Sequence, residues 1–184
     1  MPLTVIGGEA RGRKLRSPPA GVRPTAAILR RSLFDILGPR VVGARVLDLY
    51  AGAGTLGIEA ISRGAASCDF VERDGRCANV IAENLALADA GARGRVHRAG
   101  AEAWLERHLE VLQECGLIFL DPPYGDPGLM RTLRLLALPD RLRPDALVVM
   151  EESSRAALTP PVGLSQVRRV AHGDSALTLL EAGS

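Results

Sequence analysis

The sequence predicts an α/β protein built around a mostly parallel, seven-stranded sheet. Five short apolar runs alternate with amphipathic stretches between residues 45 and 150, an order typical of parallel βαβ units with right-handed crossovers. Two further apolar runs near the C-terminus follow one another without a helix, so they predict an antiparallel hairpin at one edge of the sheet. Helices are expected on both faces, because a parallel sheet is covered on both sides.

Residues 1–24 are predicted to form a basic N-terminal arm. Residues 3–16 alternate short apolar runs with glycine and arginine, which indicates a β-hairpin or a loose extended segment. Prolines at positions 18, 19 and 24 predict an extended linker. Thr25 is a candidate N-cap for a helix that runs to Leu37 and ends at Gly38-Pro39. The α/β domain is therefore expected in residues 25–184.

The first strand–loop–helix unit of this domain begins with an apolar run at 45–50. A glycine-rich loop follows it, and then a helical stretch to about residue 63. The same periodicity predicts the remaining elements, with strands at 68–72, 94–98, 117–120, 146–150, 166–171 and 176–181 and helices at 74–87, 101–112 and 129–138.

Composition excludes several classes of protein. Of the 184 residues, 47% are hydrophobic and 24% are charged, which is ordinary for a globular domain and argues against disorder. The three cysteines contain no CxxC pair, so neither a disulfide framework nor a cysteine-rich zinc site is expected. No apolar run approaches the roughly 18 residues of a membrane span, and the N-terminus does not resemble a signal peptide. These features predict a cytoplasmic protein.

The charge is unevenly distributed along the chain. Residues 1–45 carry nine Lys and Arg residues against only Glu9 and Asp35, whereas residues 46–184 carry fourteen against nineteen acidic residues. This asymmetry predicts an anionic partner for the N-terminal part.

The loop after the first strand has the pattern of a nucleotide-type ligand site. Gly52, Gly54 and Gly57 form G-x-G-x-x-G, and Glu72 lies twenty residues beyond Gly52 at the end of the next strand, where an acid binds ribose. Asp48 would oppose an anionic pyrophosphate and favours the cationic S-adenosylmethionine. The alternatives are a simple tight turn, a solvated Glu72 and an Asp48 that only caps the helix.

The loop after the fourth strand, Asp121-Pro122-Pro123-Tyr124, is a candidate substrate site. It would lie beside the glycine-rich loop if the first and fourth strands are neighbours. The Asp121 carboxylate and the Pro122 carbonyl are two acceptors that suit an NH₂ group, and Tyr124 has a flat face on which a base can stack. An ordinary turn is the alternative.

Several motifs occur in an order that matches one enzyme family. They are Ile6-Gly7-Gly8, Arg23-Pro24-Thr25, Leu47-Asp48-Leu49-Tyr50-Ala51-Gly52-Ala53-Gly54, Leu56-Gly57-Ile58-Glu59-Ala60, Val71-Glu72, Asn84-Leu85 and Asp121-Pro122-Pro123-Tyr124. With this set the chain resembles the Rossmann-like S-adenosylmethionine-dependent methyltransferases that act on exocyclic amines. It looks most like the small bacterial enzymes that methylate N2 of a guanine in 16S ribosomal RNA, over nearly the whole chain.

The resemblance implies a class I methyltransferase fold, S-adenosylmethionine as cofactor and no metal. It implies a monomer that acts on 16S ribosomal RNA within a small-subunit ribonucleoprotein particle. The implied cofactor-binding residues are Asp48, Tyr50, Gly52, Gly54, Thr55, Glu72, Gly100, Ala101 and Asp121. The implied catalytic residues are Asp121, Pro122 and Tyr124. The implied RNA-binding residues are Arg11, Arg13, Lys14, Arg16, Arg23 and Thr25.

Two features depart from the family pattern, and both bear on RNA contact. Ala27, Ile28 and Arg31 stand where the family's helix carries further polar residues, and His172 replaces a tyrosine before Gly-Asp. Two other functions stay open: an N6-adenine methyltransferase for DNA, and a non-catalytic RNA-binding paralogue. The lack of a separate target-recognition domain disfavours the first, and the intact acidic residues of the motifs disfavour the second.

Overall fold

The structure is a computed structural model of the chain, and it describes residues 3–19, 26–123, 125–155 and 158–183. A small antiparallel hairpin is formed by β1 (Leu3–Thr4) and β2 (Lys14–Leu15). The strands of the large sheet are β3 (Arg45–Leu49), β4 (Ser67–Glu72), β5 (Gly94–Arg98), β6 (Leu117–Leu120), β7 (Leu147–Ser153), β8 (Leu164–His172) and β9 (Ser175–Ala182). The helices are α1 (Ala27–Leu37), α2 (Thr55–Ser62), α3 (Gly75–Leu87), α4 (Ala101–Arg107), α5 (Leu109–Glu114) and α6 (Leu129–Leu136).

The large sheet has the strand order β5-β4-β3-β6-β7-β9-β8. Strands β3 to β7 are parallel, and β9 pairs antiparallel with both β7 and β8. The predicted mostly parallel sheet with an antiparallel edge hairpin is therefore confirmed. The chain runs outward from β3 to β5 and then returns to β6, so the order reverses between β3 and β6, which is where α/β folds bind ligands.

The strand residues alternate between two hydrophobic cores, one on each face of the sheet. Val46 and Phe70 pack against the face covered by α1, α2 and α3, whereas Leu47 and Val71 pack against the face covered by α4, α5 and α6. This alternation follows from the two-residue period of a strand, and it confirms the prediction of helices on both faces.

The N-terminal hairpin is docked on α2 by polar contacts with the buried Glu59. The two carboxylate oxygens of Glu59 accept hydrogen bonds from the backbone N–H groups of Ile6 and Gly7, each at 2.8 Å. Gly8 has φ of +75°, and a Cβ on it would lie 1.8 Å from the Ser62 carbonyl oxygen, so only glycine fits there. The predicted hairpin is thus present and packed. The boundary predicted between arm and domain stays a prediction.

Two helix boundaries differ from the prediction. The helix predicted over 101–112 is broken at His108, whose φ of −127° and ψ of 45° are not helical and whose Nδ1 bonds the Trp104 carbonyl at 2.8 Å. That carbonyl is the acceptor that the His108 N–H would use in a continuous helix. The N-cap of α1 is Ala26, which makes no side-chain cap bond, and the predicted Thr25 lies outside the described residues.

No helix in the described ranges is both long and apolar enough to cross a membrane.

Candidate active site

A cleft of about 1100 Å³ opens at the carboxyl ends of the central strands. Its walls contain seven residues predicted for the site, namely Tyr50, Gly52, Glu72, Gly100, Ala101, Asp121 and Pro122. Tyr50 and Gly52 follow β3, Asp121 and Pro122 follow β6, and the other three come from the ends of β4 and β5. Because β3 and β6 are paired, with Leu49 opposite Leu120, the two loops that leave these strands are adjacent. The predicted juxtaposition of the two loops is confirmed. Asp48, Gly54 and Thr55 are buried and do not line the cleft, and Tyr124 lies outside the described residues.

The glycines of the first loop have three separate structural roles. Gly52 and Gly54 have φ of 56° and 77°, which only glycine adopts readily. Gly54 is the N-cap residue of α2. Gly57 lies inside α2, where a Cβ would come within 2.3 Å of the Phe70 ring, so this glycine allows α2 to pack closely on the sheet. The glycines therefore allow a tight turn after β3 and close packing of α2 on the sheet.

Glu72 holds the loop in place and also faces the cleft. Its Oε2 accepts a hydrogen bond from the Gly52 N–H, and its Oε1 accepts one from the Asp74 N–H, both at 2.8 Å. A carboxylate has about four lone-pair positions, so each oxygen keeps acceptor capacity for a ligand hydroxyl. This arrangement fits a ribose-binding acid, and that role stays a prediction.

Asp48 makes a helix-capping contact. Its Oδ2 accepts a hydrogen bond at 2.9 Å from the N–H of Gly57, in the first turn of α2, where the glycine N-cap has no side chain to do so. Burial raises the pKa of the Asp48 carboxyl well above its usual range, and the nearby charges of Asp121 and Glu72 act in the same direction. In the structure Asp48 therefore makes the contact expected of a helix-capping residue. A direct role of Asp48 in binding a cofactor stays a prediction.

Tyr50 follows β3 in a left-handed conformation, with φ of 62°. This conformation is uncommon for a residue other than glycine and stores strain, often at functional sites. The Tyr50 hydroxyl is 2.7 Å from the Oγ1 of Thr132, a fully buried residue on α6. This bond fixes the ring at the edge of the cleft. Thr132 is not predictable from the sequence, because no local pattern connects positions 82 residues apart.

The cleft carries more negative than positive charge. Its walls include the carboxylates of Glu72, Asp74, Glu102, Asp121, Asp126 and Glu151 but only two arginines, Arg73 and Arg131, among the described residues. Such a field attracts a cationic ligand and repels a pyrophosphate. Glu102, Asp126 and Glu151 were not predicted from the sequence. Glu102 lies in the first turn of α4, Asp126 lies between β6 and α6, and Glu151 lies in β7. None of them belongs to a motif that the sequence displays.

Residues 3–181 match the family model described as conserved hypothetical protein 95. The chain belongs to this family. A relative from Escherichia coli (strain K12), named ribosomal RNA small subunit methyltransferase D, is 35% identical over 181 residues, which cover 97% of this chain and 89% of the relative. The resemblance to the small-subunit ribosomal RNA methyltransferase D type is thereby confirmed.

Solved structures confirm the Rossmann-like methyltransferase fold. A hypothetical protein from Thermus thermophilus superposes with a TM-score of 0.81 at 31% identity, covering 98% of this chain and 99% of that one. An RNA methyltransferase from Salinibacter ruber, solved in complex with S-adenosyl-L-homocysteine, has a TM-score of 0.65 at 18% identity, covering 85% of this chain and 92% of that one. At that identity the second likeness concerns the fold alone.

Four of the basic residues predicted to bind RNA lie on or next to the N-terminal hairpin and do not line the cleft. Arg11, Arg13, Lys14 and Arg16 are all exposed. Arg16 is paired with Glu83 of α3 at 2.5 Å, and Arg13 donates to the Leu87 carbonyl at 3.0 Å. Exposed pairs of this kind are weak, about 0–1 kcal/mol, so both arginines are available to a stronger anion. Arg23 and Thr25 lie outside the described residues, and all six assignments stay predictions.

Proposed function

We propose that this protein transfers a methyl group from S-adenosylmethionine to N2 of a guanine in 16S ribosomal RNA. The observation that carries the proposal is the meeting of the Gly52 loop and Glu72 with Asp121 and Pro122 in one acidic cleft at the switch point of the sheet. The name and sequence identity of the Escherichia coli relative support the RNA substrate.

The residues of the cleft fit S-adenosylmethionine. Glu72 would accept hydrogen bonds from the ribose hydroxyls. Gly52, Gly100 and Ala101 line the cleft, and a Cβ at Gly100 would meet no atom within 4 Å, so a ligand would have room to approach the backbone there. The excess of carboxylates suits the ammonium and sulfonium charges. When bound, this cofactor supplies an electrophilic methyl group on sulfur.

Asp121 and Pro122 are suited to hold the amine that is methylated. Asp121 follows β6 directly, and Pro122 is buried beside it, so the loop is rigid and the two acceptors have a defined direction. The Asp121 carboxylate and the Pro122 carbonyl would accept the two amine hydrogens and so raise the electron density on nitrogen. Much of the catalysis is then orientation, because nitrogen, methyl carbon and sulfur have to be in line.

The target base has to be unpaired or flipped out of its stack to reach this loop. Tyr124 would stack on that base, and the exposed arginines of the N-terminal hairpin would bind phosphates around it. The amine loses a proton only as it is methylated, so Asp121 does not have to be a strong base.

The test is single-turnover methylation of small-subunit ribosomal particles, followed by mass spectrometry of the nucleosides. We expect N2-methylguanosine from the wild type and a loss of about 10- to 100-fold or more in the Asp121→Ala variant. Asp145→Ala is the matched control, because Asp145 is an exposed carboxylate just before β7, at the opposite end of the sheet. N6-methyladenosine as the product, or full activity in Asp121→Ala, would contradict the proposal.

A further inference from the structure

A second, shallower groove of about 420 Å³ runs between α1 and the edge strand β8. Helix α1 contributes Ile28, Arg31 and Ser32, and strand β8 contributes Arg168, Val170 and His172. The His172 Nε2 and the Ser32 Oγ are 3.0 Å apart, which ties the helix to the strand. The three strand residues share one face because they are two positions apart.

The chemistry of this groove combines positive charge with exposed apolar surface. Arg31 and Arg168 are exposed, and within the described ranges neither has a hydrogen-bond or ion-pair partner. Among the described residues of the lining, Asp35 is the one acidic residue beside these two arginines, so positive charge predominates. Ile28 is 66% exposed beside these arginines. Guanidinium groups bind phosphate in a bidentate manner, and an adjoining apolar side chain suits a ribose or base face.

The groove and the cleft have lining residues close to each other on two segments. Ala26, the N-cap residue of α1, lines the cleft, and Ile28 in the first turn of α1 lines the groove. On the β8–β9 hairpin, Ser175 lines the cleft and its paired residue, His172, lines the groove. The nucleotides next to a base held in the cleft would therefore lie near the groove.

We propose that the α1–β8 groove binds the ribonucleotides next to the target base, with Arg31 and Arg168 on phosphates and Ile28 and Val170 against a ribose or base. The inference rests on the proposed function and adds a second RNA-binding surface to it. Three of the residues at which the sequence departs from the pattern of the family it resembles, Ile28, Arg31 and His172, lie together in this groove.

The experiment measures the affinity of in vitro transcribed 16S ribosomal RNA for the wild type and for the Arg31→Gln/Arg168→Gln variant across a range of salt. Loss of two phosphate contacts to single-stranded RNA is expected to reduce the slope of the logarithm of the binding constant against the logarithm of salt concentration by about 1.4. Arg95→Gln is the matched control, because Arg95 is exposed on β5, at the opposite edge of the sheet, and is expected to leave the slope unchanged.

A gain of affinity provides a second readout that misfolding cannot imitate. Asp35→Asn removes the acidic group from the groove, so we expect tighter RNA binding and a lower KM for RNA, with S-adenosylmethionine affinity unchanged. An unaltered salt slope in the double arginine variant would overturn the inference. So would a variant that binds naked RNA normally but loses affinity for the assembled particle, since the groove would then contact a protein.

These experiments test the groove separately from the proposed function. If the wild type forms no N2-methylguanosine, the proposed function fails, while the salt slopes still report whether the groove binds RNA. If the wild type methylates normally and the groove variants match it in RNA affinity and KM, only the groove assignment fails.

Discussion

The side-chain amide of Asn84 donates a hydrogen bond to the carbonyl oxygen of Ala53, with 2.9 Å between Nδ2 and the oxygen. The same amide donates to the Arg16 carbonyl at 3.1 Å, and its Oδ1 accepts from the Arg16 N–H at 2.7 Å. Asn84 is fully buried. One side chain on α3 therefore connects the N-terminal hairpin to the glycine-rich loop of the cleft.

Replacement of Asn84 by alanine is expected to lower the free energy of unfolding by about 1–3 kcal/mol, because it leaves buried backbone groups without partners. Urea unfolding monitored by circular dichroism gives this number. Asn79→Ala on the same helix is the control, since Asn79 is exposed, and it is expected to change stability by less than about 0.5 kcal/mol. Equal stability of the two variants would show that the bridge contributes nothing.

Glu72→Ala is expected to weaken S-adenosylmethionine binding by about 1–3 kcal/mol, the usual cost of losing a hydrogen bond to a charged group. Isothermal titration calorimetry measures the change, and unfolding curves show whether loss of the Gly52 and Asp74 contacts destabilises the loop. Glu83→Ala, an exposed carboxylate on α3, is the control. Tight binding of NAD without binding of S-adenosylmethionine would refute the cofactor assignment.

Asp48 allows a test that separates capping from cofactor binding. Asp48→Asn keeps an acceptor for the Gly57 N–H and is expected to bind S-adenosylmethionine normally if Asp48 only caps α2. Asp48→Ala leaves that N–H unsatisfied and is expected to cost about 1–3 kcal/mol of stability. Weaker cofactor binding in a stable Asn variant would instead mean that the Asp48 charge acts on the ligand.

The pH dependence of stability provides an independent check on Asp48. Burial raises the pKa of Asp48 in the folded state above the unfolded value of about 3.9. The carboxyl therefore stays protonated to a higher pH in the folded state than in the unfolded state. The wild type is therefore expected to lose stability relative to Asp48→Asn as pH rises above about 4. Unfolding of both proteins at several pH values from acid to neutral measures this difference, and parallel curves would argue against a raised pKa.

The bond between Tyr50 and Thr132 is expected to contribute about 0.5–1.5 kcal/mol to stability. Tyr50→Phe and Thr132→Val each remove one hydroxyl, so the double variant should cost less than the sum of the two single variants. A double-mutant cycle by urea unfolding gives the coupling energy. Strict additivity would mean that the two hydroxyls do not interact in solution.

Tyr124 lies outside the described residues, so its prediction rests on the sequence. If its ring stacks on the target base, Tyr124→Phe should retain activity and Tyr124→Ala should lose about 1–3 kcal/mol in transition-state stabilisation, roughly 10- to 100-fold in kcat/KM. Single-turnover methylation with a separate measurement of cofactor affinity tests this. A Phe variant as impaired as the Ala variant would show that the hydroxyl takes part in the reaction.

The sequence by itself was sufficient to predict the order of strands and helices. It was also sufficient to predict the glycine-rich loop and the loop that begins at Asp121. These features depend on residue period and on turn chemistry within a few positions, which a single chain displays locally. The break at His108 was not predicted. It depends on a hydrogen bond between the His108 side chain and the Trp104 carbonyl, and the spacing of apolar residues carries no information on such a bond.

Only the tertiary structure decided which distant residues meet. Strand pairing brings Leu49 beside Leu120, and helix packing brings Thr132 to Tyr50 and Asn84 to both Arg16 and Ala53. The groove formed by Arg31 and Arg168 likewise exists only because the last hairpin returns antiparallel to the edge of the sheet beside α1. Such contacts depend on how whole elements pack, since their partners lie from 31 to 137 residues apart, beyond the range of any local pattern.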